Sequence, residues 1–487
     1  MQTTSVTRRL AARLRPALLS AMALAIQACG GGGSAGTTAS NVDGINGGGV
    51  ARGTITGFGS IFVNGVEFST SGASVVVEGV TSNESALRVG QVVTVQGTIA
   101  SDGRTGTART VTYLYDVEGP VQSVNVAANT AVVLGQTVRV SGTTVFANLS
   151  PASLAGIAVG GVVEVSGLLD SSGAVVASRI EGKAAGGELG ATGRIASLDS
   201  AARRFTINAL TVDYANATIR NGTLATGACV EAKGTTVTSG VLVATRIEVL
   251  SCSLGAATND KLEVEGYVTR FASATDFDVG NQRVTTTAST SFVNGAAAAA
   301  ASDLRADLKV EVEGTVNASG TLEARKVEIK PDSSSRLLGN VEAINAAAGT
   351  LSMYGITVTV NASTQLEDKS RLRTSPLRLA DLRTGDYLEL RGFRGTTAAS
   401  VVATRLERQD ADSKLEIQGL ATQAARPSLT ILGVSVTTVA GTAFRNVDGS
   451  TMTADAFFAA AANRSVKVRG SWNGAAFNAT EVELQGS

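Results

Sequence analysis

The sequence predicts an all-β protein made of tandem five-stranded, OB-like β-barrel repeats, each with a short helix between its third and fourth strands. Three recurring elements predict it. An apolar/polar alternating strand that ends in glycine, such as Val92-Val93-Thr94-Val95-Gln96-Gly97, returns with its glycine at Gly167, Gly234, Gly314, Gly392 and Gly470. A closing strand follows each copy, with alanine and an aliphatic residue three positions on. A third strand, with glycine at Gly53, Gly119, Gly193, Gly266, Gly339 or Gly419, opens each unit.

The strand-ending glycines are 70, 67, 80, 78 and 78 residues apart, so the period is that of a small domain. The closing strands read Ala108-Arg109-Thr110-Val111, Ala177-Ser178-Arg179-Ile180, Ala244-Thr245-Arg246-Ile247, Ala324-Arg325-Lys326-Val327, Ala403-Thr404-Arg405-Leu406 and Ala479-Thr480-Glu481-Val482. Val, Thr and Ile at period two mark half-buried strands. Asn64-Gly65, between Ile61-Phe62-Val63 and Val66-Glu67-Phe68, predicts a type I′ hairpin. The six alanines 296–301 in unit four, the stretch from Leu379 in unit five and Ala454 to Ala462 in unit six supply the expected helix, since Ala is the best helix former. Strand order follows here from spacing alone, which leaves other small barrels open. The repeats are set at 51–116, 117–187, 188–258, 259–334, 335–412 and 413–487, behind a leader at 1–28 and a Gly-rich tether at 29–50.

Composition narrows the function. Of 487 residues, 44% are hydrophobic, enough to fold, and only 4% are aromatic, which suits a narrow barrel interior filled by aliphatic side chains. Histidine is absent from the chain. That removes the commonest general base, the commonest metal ligand and every Ser-His or Cys-His pair.

The leader carries Arg8, Arg9, Arg13 and Arg15 ahead of an apolar run from Ala17 to Ile26, too short to span a bilayer, so it reads as an export signal. Ala25-Ile26-Gln27-Ala28-Cys29 resembles the lipobox of bacterial lipoproteins, in which the cysteine is lipid-modified and becomes the new N-terminus. Gly30 is not the Asp that retains many such proteins at the inner membrane, so the resemblance implies an outer-membrane lipoprotein, facing the periplasm or the cell surface. Loss of the leader takes four of 41 basic residues and none of the 41 acidic ones, leaving a net charge of −4. No nucleic-acid partner is expected from a mildly acidic chain.

The opening G-x-[IV] strand, the [VL]-[ET]-[VLA]-x-G strand and the closing A-[TS]-R-[IL]-E strand resemble the DUF5666 family over residues 50–487. Its members are bacterial envelope domains that occur in tandem behind a lipoprotein signal. Thr110 and Glu481 depart from the basic residue of the closing strand. The resemblance implies location and fold, and no reaction.

Little in the chain points to chemistry. Cys229 and Cys252, the two cysteines besides Cys29, bracket a hairpin with Ser239-Gly240 midway, which sets them opposite each other at a separation suited to a disulfide in an oxidising compartment. Two free thiols are the alternative. Asp303 and Asp307, and Asp381 and Asp386, pair in a way that suits acid/base work or Ca²⁺; capping and solvated turns compete, and no D-x-D-x-D-G spacing exists. Glu231/Lys233, Glu311/Glu313 and Glu389/Arg391 read as a water-facing strand face that discourages edge pairing. Tyr113, Tyr115 and Trp472 are candidates for stacking a sugar or base, against core placement. No cofactor, metal site or catalytic residue is expected.

These readings converge on an exported, lipid-anchored, non-catalytic module for multivalent binding or structure. Its expected contacts are the membrane, through the N-terminal lipid, and an envelope protein or polysaccharide. An enzyme acting on envelope polysaccharide through an Asp/Glu pair, or an assembly factor using open strand edges, are the alternatives.

Overall fold

A computed structural model describes residues 49–485 apart from 101–103, 127, 295–296, 331–334 and 447–448; the leader, Cys29 and nearly all of the tether lie outside the described residues. The fold is all-β. Its strands fall into three sheets, each made by two units.

Unit four displays the pattern. Lys261–Ser273 pairs with Asp276–Val279, which pairs with Gln282–Asn294; that strand runs parallel to Leu322–Ile329, whose other neighbour, Lys309–Val316, returns to the first strand. The hydrogen-bonded ladder therefore closes on itself. Units two and six close by the same sequence of pairings. In units one, three and five the third strand is broken into two short pieces, both lying parallel to the closing strand.

The recurring glycine has one physical cause in all six units. At Gly97, Gly167, Gly234, Gly314, Gly392 and Gly470 the pairing of fourth and fifth strands slips by a bulge. There the backbones approach so closely that a Cβ would lie 1.9–2.4 Å from a carbonyl oxygen of the facing strand. Only glycine fits. A second recurring device was not read from the sequence. Where the third strand kinks, the hydroxyls of Thr144, Thr290, Thr364 and Thr442 donate to the carbonyls of Ala177, Ala324, Ala403 and Ala479 at 2.6–2.8 Å. Each threonine oxygen also accepts the amide three residues back, at 2.9–3.0 Å. The closing-strand alanines are buried beneath these kinks.

The expected helix in every unit is corrected. Among the described residues, only Ala454–Ala461 of unit six is an α-helix; units one, two, four and five have three-residue 3₁₀ turns at that place. In the alanine run of unit four, Ala297–Ala298 pairs as a strand with Val293 and Asn294, and Ala301–Asp303 makes the turn. Alanine propensity cannot nucleate so short a helix in water. Unit six succeeds because Phe457 and Phe458 are buried in the core and Thr453 caps the first turn by accepting the Ala456 amide. The hairpin at Asn64-Gly65 forms, with φ of 53° and 81°.

Units join through their first strands. Val117 faces Ala191 and Leu337 faces Ile417, each two residues before its unit's opening glycine, so the pairs two–three and five–six share one antiparallel register. Each of these pairs has a continuous core. Units one and four keep separate cores, except that Val50 of the unit-one strand enters the core of unit four, and they join by parallel pairing of Gly49–Arg52 with Lys261–Val264.

The bulge predicts a graded response. Gly314→Ala, which drives a Cβ towards the Glu323 carbonyl, is expected to cost about 1–3 kcal/mol in urea unfolding. Gly320→Ala, where the Cβ meets open space and only the positive φ is strained, should cost about 1 kcal/mol. Equal losses would refute the close-approach explanation.

Candidate functional site

Glu231, Lys233 and Glu311 do not face water, which corrects the sequence expectation for them, while Glu313, Glu389 and Arg391 are half-buried. Lys233 and Glu231 are 1% and 2% exposed, and Glu311 is also buried. Glu231 and Lys233 lie where units meet, on the sheet face beside the first-strand junction, and Glu311 pairs with Lys330 of its own unit.

At the junction of units two and three this face is covered by unit one. Lys233 Nζ lies 2.8 Å from Glu78 Oε2 and 3.0 Å from Glu231 Oε1, and 5.0 Å from the centre of the Tyr115 ring. Tyr113 donates its hydroxyl to Glu164 at 2.6 Å, and Lys183 holds the other oxygen of that carboxylate at 2.8 Å. Gly190 makes this possible, since a Cβ there would stand 2.7 Å from the Tyr115 hydroxyl. Burial pushes the Glu78 carboxyl up to about 8 against the pull of Lys233. Asp116, which accepts the Gly167 amide at 2.7 Å, is pushed by burial up to about 6 despite Arg52.

The corresponding face of units five and six is an open cleft of about 720 Å³. At the register position of Gly190 stands Glu416, which fills the face with an ion-pair lattice instead of admitting a third unit. Arg336 pairs with Glu389 at 3.0 Å and with Glu416, and Arg469 pairs with Glu416 at 3.1 Å and Glu481 at 2.8 Å. Tyr387 donates to the Lys414 carbonyl at 2.6 Å, fastening the 410–414 linker as one wall. Burial opposes ionisation of Glu389, but Arg336 and Arg391 beside it hold its carboxyl down at about 2. The cleft offers guanidinium donors and carboxylate acceptors in fixed positions. That equipment suits a polar ligand.

Six stretches match a domain of unknown function, DUF5666: residues 52–112, 118–181, 192–248, 265–328, 339–407 and 418–483. The chain belongs to the DUF5666 family. Each match lies within one of the six repeats, and together they cover well over half of the sequence. No curated protein matches the chain.

Within the DUF5666 units the remaining candidates fall as follows. Cys229 and Cys252 form a disulfide, with Cα atoms 5.3 Å apart. They are not directly opposite: the bulge and a turn at Ser239-Gly240 set Cys229 against Leu250, and Cys252 lies two residues beyond the strand end. Asp303, Asp381 and Asp386 accept the amides of Ala300, Arg378 and Arg383, and Asp307 accepts the amide and hydroxyl of Ser171 in unit two. Tyr113 and Tyr115 are buried, and Trp472 packs edge-on against Tyr354 while donating to Glu342. Among the described residues no cluster of three potential metal ligands occurs, and no helix is long and apolar enough to cross a membrane.

Asp116 and Glu78 bind protons more readily when folded, so the stability they contribute is complete below their ordinary values and is lost as pH rises through about 6 and then about 8. Glu389 acts oppositely; its contribution is present above about 4.5 and disappears as pH falls through about 2. Asp116→Asn should therefore raise the urea midpoint at pH 8 relative to the parent and remove the step near pH 6; parallel pH curves for the two proteins would contradict this. Cys252→Ser opens a loop of about 24 residues and should cost ~3 kcal/mol in the same assay, with the reduced parent matching the variant.

Proposed function

We propose that this DUF5666 protein is an exported, lipid-anchored component of the bacterial cell envelope that works by binding rather than by catalysis. We read each unit as a small OB-like barrel, a reading supported by the closed order of strand pairings and by the parallel placement of third and fifth strands. The leader and the lipobox-like stretch ending in Cys29 support export and tethering at the outer membrane.

The observation that carries the binding role is the contrast between the two equivalent junctions. Between units two and three the charged face is occupied by unit one; between units five and six it is open and preorganised by ion pairs. Six equal weak sites are a poorer description, because the corresponding face of units two and three is covered by unit one. One polar ligand at the five–six cleft, an envelope polysaccharide or protein segment, fits better.

In-cell crosslinking followed by mass spectrometry tests this. The native protein should capture one dominant partner, and Cys29→Ser should lose it. Arg469→Gln, at the half-exposed rim of the cleft, leaves Arg336 to pair Glu416 and should reduce capture about tenfold, with urea unfolding of the variant measured alongside. Equal capture by the Arg469→Gln protein would move the site elsewhere.

A further inference from the structure

We propose that the 369–383 segment of unit five is a docking surface for a bilayer rich in anionic phospholipid headgroups. The segment reads Lys369-Ser-Arg371-Leu-Arg373-Thr-Ser-Pro-Leu-Arg378-Leu-Ala-Asp381-Leu-Arg383, five basic residues against one acidic. No other fifteen-residue stretch beyond the leader has that balance in a chain that is otherwise slightly acidic.

The fold turns this composition into a surface. Asp368, with its side chain fully buried, pairs with Arg408 and accepts the Thr374 amide at 2.7 Å. The same guanidinium donates to the Thr374 hydroxyl at 2.7 Å and to the Asp381 carbonyl at 3.3 Å, so one buried arginine draws both halves of the segment together. Leu377 and Leu382 plug into the core, and Pro376 abuts Gly59 of unit one. The loop is clamped from within.

The arginines are exposed, and the nearby acids are tied to backbone amides. Asp381 and Asp386 are engaged with the amides of Arg378 and Arg383. Lys369 is taken by Glu407 at 2.7 Å. Among the described residues, no carboxylate pairs with the exposed side chains of Arg373, Arg378 or Arg383. Arg371, 92% exposed, meets only Asp410 at 3.3 Å, a water-exposed pair of little energy. Between Arg371 and Arg373 stands Leu372, 71% exposed and the most exposed large apolar residue among those described. A leucine flanked by arginines on a rigid, basic loop matches a headgroup layer, where phosphates meet guanidiniums and the apolar tip reaches the acyl boundary. A soluble polyanion would leave the leucine unused. The surface is independent of Cys29.

Vesicle co-sedimentation of the compact unit Val42–Ser487, which omits the leader and Cys29, tests the proposal. It should bind vesicles of phosphatidylcholine mixed with phosphatidylglycerol, and not phosphatidylcholine alone, with binding falling as salt rises. Arg373→Glu, Arg378→Glu and Arg383→Glu should each weaken binding about fivefold or more, and Leu372→Ala several-fold. Arg220→Glu, an exposed charge reversal in unit three, should leave binding unchanged. The proposal is overturned if anionic vesicles are not bound, if neutral vesicles bind equally, if the Arg220 variant weakens binding as much, or if inorganic phosphate competes in full. Intact thermal unfolding of each variant separates lost docking from lost fold.

Discussion

A first strand that is longer than its own ladder needs is the constraint on which this structure depends. Its outer half pairs with the fourth strand and its inner half with the second, the two halves being separate strands in units three and five, which leaves one row of backbone donors and acceptors open beside the outer half. Unpaired edge groups are costly when covered and hazardous when exposed. Here each open edge is satisfied by the first strand of another unit, so six units become three shared sheets.

That pairing fixes where charge must go. Side chains beside the junction alternate with core residues, and the next unit packs against them, so carboxylates and bases that look like solvent-facing strand residues enter the interior. They persist there only because each meets a partner, as Lys233 meets Glu78 and Glu231, and Arg336 meets Glu389 and Glu416. Buried pairs add little net stability over apolar packing, but a wrong pairing leaves a charge stranded at a cost of several kcal/mol. The residues three before the opening glycine are Val50, Asp116, Gly190, Glu263, Arg336 and Glu416, and the two members of each joined pair of units differ. Each junction brings together a different pair of residues at this position, which is a physical obstacle to mispairing among related repeats.

The same position separates occupied from open faces. Gly190 admits Tyr115 and with it the whole of unit one; Glu416 admits two arginines and leaves a cleft. A single backbone framework thus yields packing at one junction and a preorganised polar recess at the other, by the choice of one side chain.

Much of this was legible before the fold was known. Period two, the glycine-ended strands and their spacing, and the cysteines bracketing one hairpin are local features, and local hydrogen bonding and sterics enforce them in every unit. The bulge glycines recur because the carbonyl of the facing strand recurs. The alanine run misled because helix formation depends on what a face packs against, and only unit six has Phe457 and Phe458 to bury. The facing of Glu231, Lys233 and Glu311, the parallel partnership of unit one with unit four some 210 residues away, and the clamp of Arg408 on Asp368 were decided by the tertiary structure alone. Alternation states that a residue lies off the core face of its own sheet. Whether water or another unit lies beyond depends on contacts between distant segments, and no local pattern carries that information.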